Sequence, residues 1–449
     1  MELGKLSSMN SLSVGIALVG LGHVGRATCQ LFEERRRRME AILGAKIRLL
    51  WLIDRHPRNK TTKLRISSQT QVARDFGPML KDNRVNIVVE LIGGLEDARR
   101  LILEALANSK DVITANKLLL ATCWEEIHQA SREHNRAIYY EASVASAIPI
   151  IRSIREGLAS SKIMALQGIL NGTTNFILTR MIHEGLSYGE ALKKAQALGL
   201  AEAKPTLDIE GIDTAHKLSI LASLISGSWV APRLAHIEGI SGLNTADILF
   251  AQQHLGRTCR LLGLFRREDN GQLDFRVHPC LIPTKHPFAT VHDEYNAIWL
   301  KTDRAGDLYF QGKGAGALPA ANAVLSDLAD AAKRLLDSRP ATNAASSEQR
   351  PKVKPMDEVS SSYYLRLDAK DRPGVLAKIA QVMARAEISI AQVHQGPVRA
   401  LTPKPGRATI ILVTHRAKER AMRQALTRFK GLGSDVQIAS RLRFEGDVR

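Results

Sequence analysis

Cysteine is scarce in this chain, with four residues in 449 (Cys29, Cys123, Cys259 and Cys280) and no Cys-x-x-Cys pair. That spacing excludes a zinc ribbon and fits thiols kept reduced in a cytoplasm. No apolar run approaches the ~20 residues that a membrane-spanning helix needs. Met1 to Ser13 holds no apolar stretch with a cleavage site behind it, so neither a membrane association nor a secretion signal is expected. Acidic residues are also short, 45 against 63 Lys and Arg, for a net charge of +18. More than half of that excess lies after Tyr363, but its members are scattered, and aromatics make up only 5% of the chain. Without stacking aromatics beside a basic stripe, no nucleic-acid partner is expected. The run Arg35–Arg38 reads as a solvated helix end. What remains is ordinary globular composition, 45% hydrophobic and 24% charged, long enough for two or three domains.

The order of elements gives the architecture. Val14–Val19, Ile47–Ile53, Asn86–Leu91, Asp111–Thr114 and Ala137–Tyr140 are short apolar runs separated by helical pattern, which predicts a parallel, doubly wound α/β sheet over residues 1–142. Over residues 143–337, from about Val144, the rhythm changes to longer helices, Ile212–Ser226 among them, and to short strands between the turns of Phe275–Ala320. This part is expected to be an α+β domain. Residues 338–362 mix Pro, Ser and charge without periodicity and read as a linker. Residues 363–449 then alternate as βαββα, with Ile438–Phe444 able to close the sheet as a last strand.

Two stretches carry chemistry by pattern. Gly20-Leu21-Gly22-His23-Val24-Gly25 follows a strand, opens a helix and is followed by Asp54 at the end of the next strand. In that context G-x-G-x-x-G is a dinucleotide fingerprint: Gly20 for the turn, Gly22 for close approach of the pyrophosphate, Gly25 for helix–strand packing. Asp54 would favour the ribose hydroxyls of NAD, while Arg55, Arg58 and Lys60 could meet the 2′-phosphate of NADP or simply face solvent; both cofactors stay open. Lys117, in Thr114-Ala115-Asn116-Lys117, sits at a strand's carboxyl end, where a doubly wound sheet faces its cofactor. The second stretch, Ala195–Lys217, places Glu202, Asp208, Glu210 and Asp213 within a short span, with Lys217 one helical turn after Asp213. Four acids about one lysine suit a cationic amine and a held proton donor; a charged helix start with surface pairs is the plainer alternative.

Together with VELIGG (Val89–Gly94), YEASVASAIPIIRSIREGL, ILNGTTNFIL, GKGAGALPAANAVLSDL and DRPGVLAKIA, these stretches make the chain resemble the homoserine dehydrogenases of the monofunctional type that carry a C-terminal ACT domain. The resemblance spans roughly Val14 to Phe444 and assigns substrate binding and dimerisation to the α+β domain of residues 143–337. It implies interconversion of L-homoserine and L-aspartate 4-semialdehyde with NADP or NAD, in threonine and methionine biosynthesis, in a homodimer or homotetramer with threonine as effector. By motif, Lys217 matches the proton donor, Asp213 its orienting partner, and Lys117 a second lysine at cofactor and substrate. Glu202 and Asp208 match acids on the substrate amino end. Gly20, Gly22, His23, Val24, Gly25, Asp54, Arg55, Gly93, Lys117 and Gly316 fall at the cofactor. Glu141, with the carbonyls of Val144, Ser146 and Ile148, matches a structural sodium site.

The chemistry fits those roles, since reducing an aldehyde builds negative charge on oxygen and a cationic lysine both stabilises and protonates it. Backbone donors at Asn171–Thr174 would suit the substrate carboxylate. Three positions depart from the family pattern: Lys204 where Asp is usual, Ser146-Ala147 for a Gly-Gly pair, and Ala320 with Asn322 in the last motif. They admit a second reading, a partly degenerate amino-acid-sensing homologue with weak or altered turnover.

Overall fold

The structure, a computed structural model, describes residues 13–61, 64, 66–341, 351–396 and 405–446. The chain divides into two compact units, each assembled from separate stretches: Met1–Lys162 with Ser219–Pro232 and Gly312–Arg350, and Ile163–Leu218 with Arg233–Gln311 and Pro351–Arg449. No helix among the described residues is long and apolar enough to cross a membrane.

The first unit holds six strands: β1 (Ser13–Val19), β2 (Lys46–Ile53), β3 (Gln71–Ala73), β4 (Val85–Glu90), β5 (Asp111–Thr114) and β6 (Ile138–Tyr139). They pair in parallel in the order β3-β2-β1-β4-β5-β6. This is the doubly wound arrangement whose strand order reverses beside β1, where a dinucleotide crevice forms. The central strands are apolar on both faces because both are covered: Ile16, Leu18, Ile87 and Val89 pack into one core with Val324 and Leu328. Those last two come from helix Ala317–Leu336, which returns to this unit from far along the chain. Helix α1 (His23–Leu43) ends at Gly44, whose φ of +64° suits a residue without Cβ. Because α1 runs on to Leu43, Arg35–Arg38 lies inside the helix rather than at its end; Phe32 and Met39 are buried, while Arg35, Arg37 and Arg38 are exposed to solvent as expected.

The second unit is built on a ten-stranded sheet. Its main path runs Asp307–Lys313, Tyr295–Thr302, Ile163–Ile169, Arg257–Arg267, Leu273–Pro283, Val436–Phe444, Tyr363–Lys370, Arg407–Thr414 and Ile390–Gln395. The stretch expected to carry only short strands includes an 11-residue one, Leu273–Pro283, paired along its whole length with Arg257–Arg267. The C-terminal strand pattern is βαββαβ, with helices Val375–Arg385 and Glu419–Gly431 packed on their own core of Leu365, Ile379, Leu412 and Phe429. Its last strand pairs in parallel with Leu273–Pro283, so one sheet continues through both parts of the unit. Of the expected linker, residues 342–350 lie outside the described residues. Beyond them, Lys352 O and Lys354 N hydrogen-bond Leu273, and Ser360–Ser361 pairs with Ala417–Lys418. That part of the segment is tied down because its backbone groups find a strand edge, which composition could not show.

Candidate active site

The glycine fingerprint is dictated by backbone contacts. Gly20 sits at φ +104°, and a Cβ there would lie 2.5 Å from the carbonyl of Leu91; one at Gly25 would lie 1.9 Å from Gly20 O. Around Gly22 there is open space, and Gly22 caps α1 without any side-chain acceptor, leaving the helix start open to an anion. His23 is exposed and Val24 half-buried. A cavity of about 710 Å³ opens here, lined by Gly20, Gly22, Asp54, Arg55, Lys60 and Gly93, with Arg74 and Arg100 on its walls.

Asp54 is engaged rather than open. Its carboxylate accepts from the amides of Leu21 (2.8 Å) and His56 (2.9 Å) and from Lys60 Nζ (2.8 and 2.9 Å). Burial opposes its charge, but the Lys60 ammonium and the two amides outweigh burial and hold the carboxyl below its usual range. The short helix Pro57–Thr61 folds Lys60 back onto Asp54, a local geometry that motif reading does not include. Arg55 is exposed and pairs with Asp97. The side chain of Arg58 lies outside the described residues.

Glu90 has no role in the motif reading, yet it organises this wall. Fully buried, it accepts from the amides of Ile92 (2.8 Å) and Gly93 (3.2 Å) and from Thr114 Oγ1 (2.6 Å), fixing the VELIGG turn with Gly93 at φ +70°. Burial pushes its carboxyl upward. Lys117 opens helix Lys117–Glu133; its neighbour Asn116 accepts from Leu119 N and donates to Gly94 O at 2.7 Å, tying the two loops together. Gly316, at φ +124°, starts helix Ala317–Leu336 in the same unit.

The Glu141 carboxylate is buried and accepts from the amides of Ile151 and Arg152, each at 2.8 Å. Beside it Asp327, also buried, accepts from Glu141 N at 2.9 Å; burial first and the Glu141 charge second push it up to about 8. Val144, Ser146 and Ile148 form the adjoining buried loop, where the Ile148 carbonyl also accepts from Ile150 N. Two neighbouring buried carboxyls favour a retained proton or a bound cation, and that acidic pair is the feature that would suit a monovalent ion. No cluster of three or more His, Cys, Asp or Glu side chains suited to a metal occurs among the described residues.

In the second unit the acids of the Ala195–Lys217 stretch separate. Lys217, 7% exposed, pairs with Asp213 Oδ2 at 2.8 Å along helix Ile212–Ser226 and donates to Leu170 O at 2.7 Å. Asn171 Nδ2 donates to both Asp213 Oδ2 (2.9 Å) and Asp208 Oδ1 (2.7 Å), while its Oδ1 caps helix Gly172–Glu184 by accepting from Thr174 N (2.8 Å). Asp208, Asp213 and Lys217 therefore converge through one asparagine. The expectation of backbone donors at Asn171–Thr174 is modified, since the Thr174 amide is taken by this cap. The amide side chain was the missed residue, and its position as N-cap before a helix was the signal available. Glu202 and Lys204 lie outside the cluster on the exposed turn, and Glu210 faces Gly239.

Comparison with known proteins agrees with this geometry. Family models match residues 20–141 (homoserine dehydrogenase, NAD binding domain), 149–329 (homoserine dehydrogenase) and 363–433 (ACT domain). A homoserine dehydrogenase from Neisseria gonorrhoeae is 37% identical over 96% of this chain and 98% of its own, and one from Pseudomonas aeruginosa 38% over 97% and 99%. The crystal structure of a homoserine dehydrogenase from Thiobacillus denitrificans is similar at a TM-score of 0.87, with 37% identity, covering 96% of this chain and 98% of that one. Relatives alike over nearly their whole length, and three models in the order of the fold just described, place this chain in the homoserine dehydrogenase family, as an NAD(P)-dependent oxidoreductase with an ACT domain.

Proposed function

We propose that the enzyme interconverts L-aspartate 4-semialdehyde and L-homoserine on the threonine and methionine branch, in the cytoplasm, as a homodimer or homotetramer inhibited by threonine through residues 363–444. The observation that carries the chemical assignment is the buried Lys217, held between Asp213 and the Leu170 carbonyl and linked through Asn171 to Asp208. The bound nicotinamide dinucleotide supplies the hydride. Lys217 gives its proton to the aldehyde oxygen as that oxygen becomes an alkoxide, and Asp213 holds the lysine side chain in place. Asp208, with Glu202 from the exposed turn, binds the substrate ammonium. Lys117 is assigned to the cofactor and substrate from its own unit. A sodium ion would be held by Glu141 and the carbonyls of Val144, Ser146 and Ile148, where it would balance the buried carboxyl pair.

Replacing Lys217 tests the assignment. Lys217→Ala is expected to lower kcat by about 10²–10⁴-fold, the usual loss for a general acid, with dinucleotide binding retained by fluorescence titration. Near-normal kcat in the folded variant would remove Lys217 from the reaction.

A further inference from the structure

The short helix that carries Asp208, Thr206–Ile209, is pressed from behind by the turn after strand His236–Ile237. Ile240 N donates to Ile209 O at 2.8 Å, and a Cβ on Gly239 would lie 2.4 Å from that same oxygen and 2.6 Å from Glu210 Cα. At Gly211, φ +81°, a Cβ would lie 3.1 Å from Val277 Cγ1 and 3.3 Å from Ile237 Cγ2, closer than ordinary contact. The backbone of 209–211 thus follows that of 237–240 with little freedom to move apart.

Glu238 anchors the turn in the opposite direction. Its amide donates to Val277 O at 2.8 Å. Its carboxylate takes both terminal nitrogens of Arg443, at 2.7 and 2.9 Å, and one of Arg441 at 2.9 Å. Arg443, 2% exposed, makes a second two-point pair with Glu419 at 2.7 and 2.9 Å, and Glu419 also accepts from Arg441 and from Tyr363 Oη. Arg441 and Arg443 belong to the last strand of the C-terminal module, Glu419 opens one of its helices, and Tyr363 begins its first strand. The buried Arg443 thus makes a two-point pair with each carboxylate, which fixes distance and angle, while the half-buried Arg441 gives one bond to each and His236 Nε2 meets the half-buried Glu238 at 2.9 Å.

We propose that Glu238 is a positioning residue for Asp208, and that the Glu238–Arg443–Glu419 chain is the physical link through which the C-terminal module sets the placement of that acid. The inference rests on the assignment of Asp208 to the substrate ammonium. Movement of the last strand pulls on Glu238, the Gly239 turn follows, and Ile209 carries Asp208 with it. Because the link ends at an ammonium-binding acid, its weakening changes homoserine binding and leaves dinucleotide binding alone.

The test uses the full chain. Glu238→Gln, Arg443→Lys, Asp208→Asn and the Glu238→Gln/Asp208→Asn pair are compared for kcat and for both KM values, with thermal melting as the check of folding. Glu238→Gln and Arg443→Lys are each expected to raise the homoserine KM about fivefold, within the range seen for residues that couple sites, with the dinucleotide KM unchanged. The double variant is expected to be no worse than Asp208→Asn alone, since both changes act at one acid. Unchanged homoserine KM, an equal rise in both KM values, or strictly additive effects would overturn the link. Should Glu238→Gln not fold, the half-buried Arg441, as Arg441→Gln, carries the same comparison. If Asp208→Asn itself leaves homoserine KM unaltered, the ammonium assignment fails on its own, and a Glu238→Gln effect then excludes a route through Asp208.

Discussion

Asn171 offers the sharpest test of how the second unit builds its site, because one side chain does two separable jobs. Its oxygen caps a helix at Thr174, and its amide nitrogen joins Asp208 to Asp213 at 2.7 and 2.9 Å. Asn171→Asp keeps the acceptor and adds charge at a helix N-terminus, where negative charge is favourable, so capping survives. It also replaces an N–H₂ between two carboxylates by a third carboxylate. Hydrogen bonds to charged groups contribute about 1.5–3 kcal/mol each, so losing the bridge is expected to cost about 10–100-fold in kcat/KM for homoserine. Asn171→Ala loses the bridge and the cap together; the cap adds about 1 kcal/mol to the loss of stability. Steady-state kinetics with saturating dinucleotide, beside thermal melting, separate the two. An Asn171→Asp enzyme with wild-type kcat/KM would refute the bridge, whatever its stability.

Lys60→Ala frees the Asp54 carboxylate from its ammonium partner, and kcat/KM is expected to move toward NAD over NADP by about tenfold, the weight of one charged hydrogen bond; an unchanged ratio of the two efficiencies would rule Lys60 out of cofactor choice. Asp54 sits below its usual range when folded, so its contribution to stability is present above the unfolded carboxylate range and fades as pH falls through the folded value; the stability gap between wild type and Lys60→Ala should close in acid. Asp327 has the opposite sign. Its folded form keeps a proton up to about pH 8, which the unfolded chain releases near 4, so wild-type stability falls as pH rises between those values. In sodium-free buffer Asp327→Asn is expected to match wild type near pH 4 and melt higher at pH 8, and parallel melting curves at all pH values would contradict this. Removing residues after Pro340 strips the strand paired with Leu273–Pro283 and uncovers Asp247, which now accepts from Tyr364 and Arg366. Threonine is expected to inhibit the full chain, while the truncated chain should melt lower or aggregate; a stable, fully active truncation would show the shared sheet to be dispensable.

Much of this protein could be read from local pattern. Short apolar runs between amphipathic stretches marked five of the six parallel strands, while the edge strand Gln71–Ala73, short and largely exposed, carries no such run; Gly20 and Gly25 had to be glycine because a Cβ at either would strike backbone. The i,i+4 spacing of Asp213 and Lys217 sufficed for their pairing, since a helix puts both on one face. Partners distant in sequence needed the tertiary structure. Asn171 reaches Asp208 and Asp213 across 37 and 42 residues, Asp327 reaches Glu141 across 186, and Arg443 reaches Glu238 across 205. The four acids looked alike in sequence, but packing sorted them: Asp213 is buried against Lys217, Asp208 is half-buried at the asparagine, Glu210 faces a turn and Glu202 stays exposed. Periodicity reports which face of an element is buried; which charged groups share that burial depends on where the chain returns, and only the fold decides that.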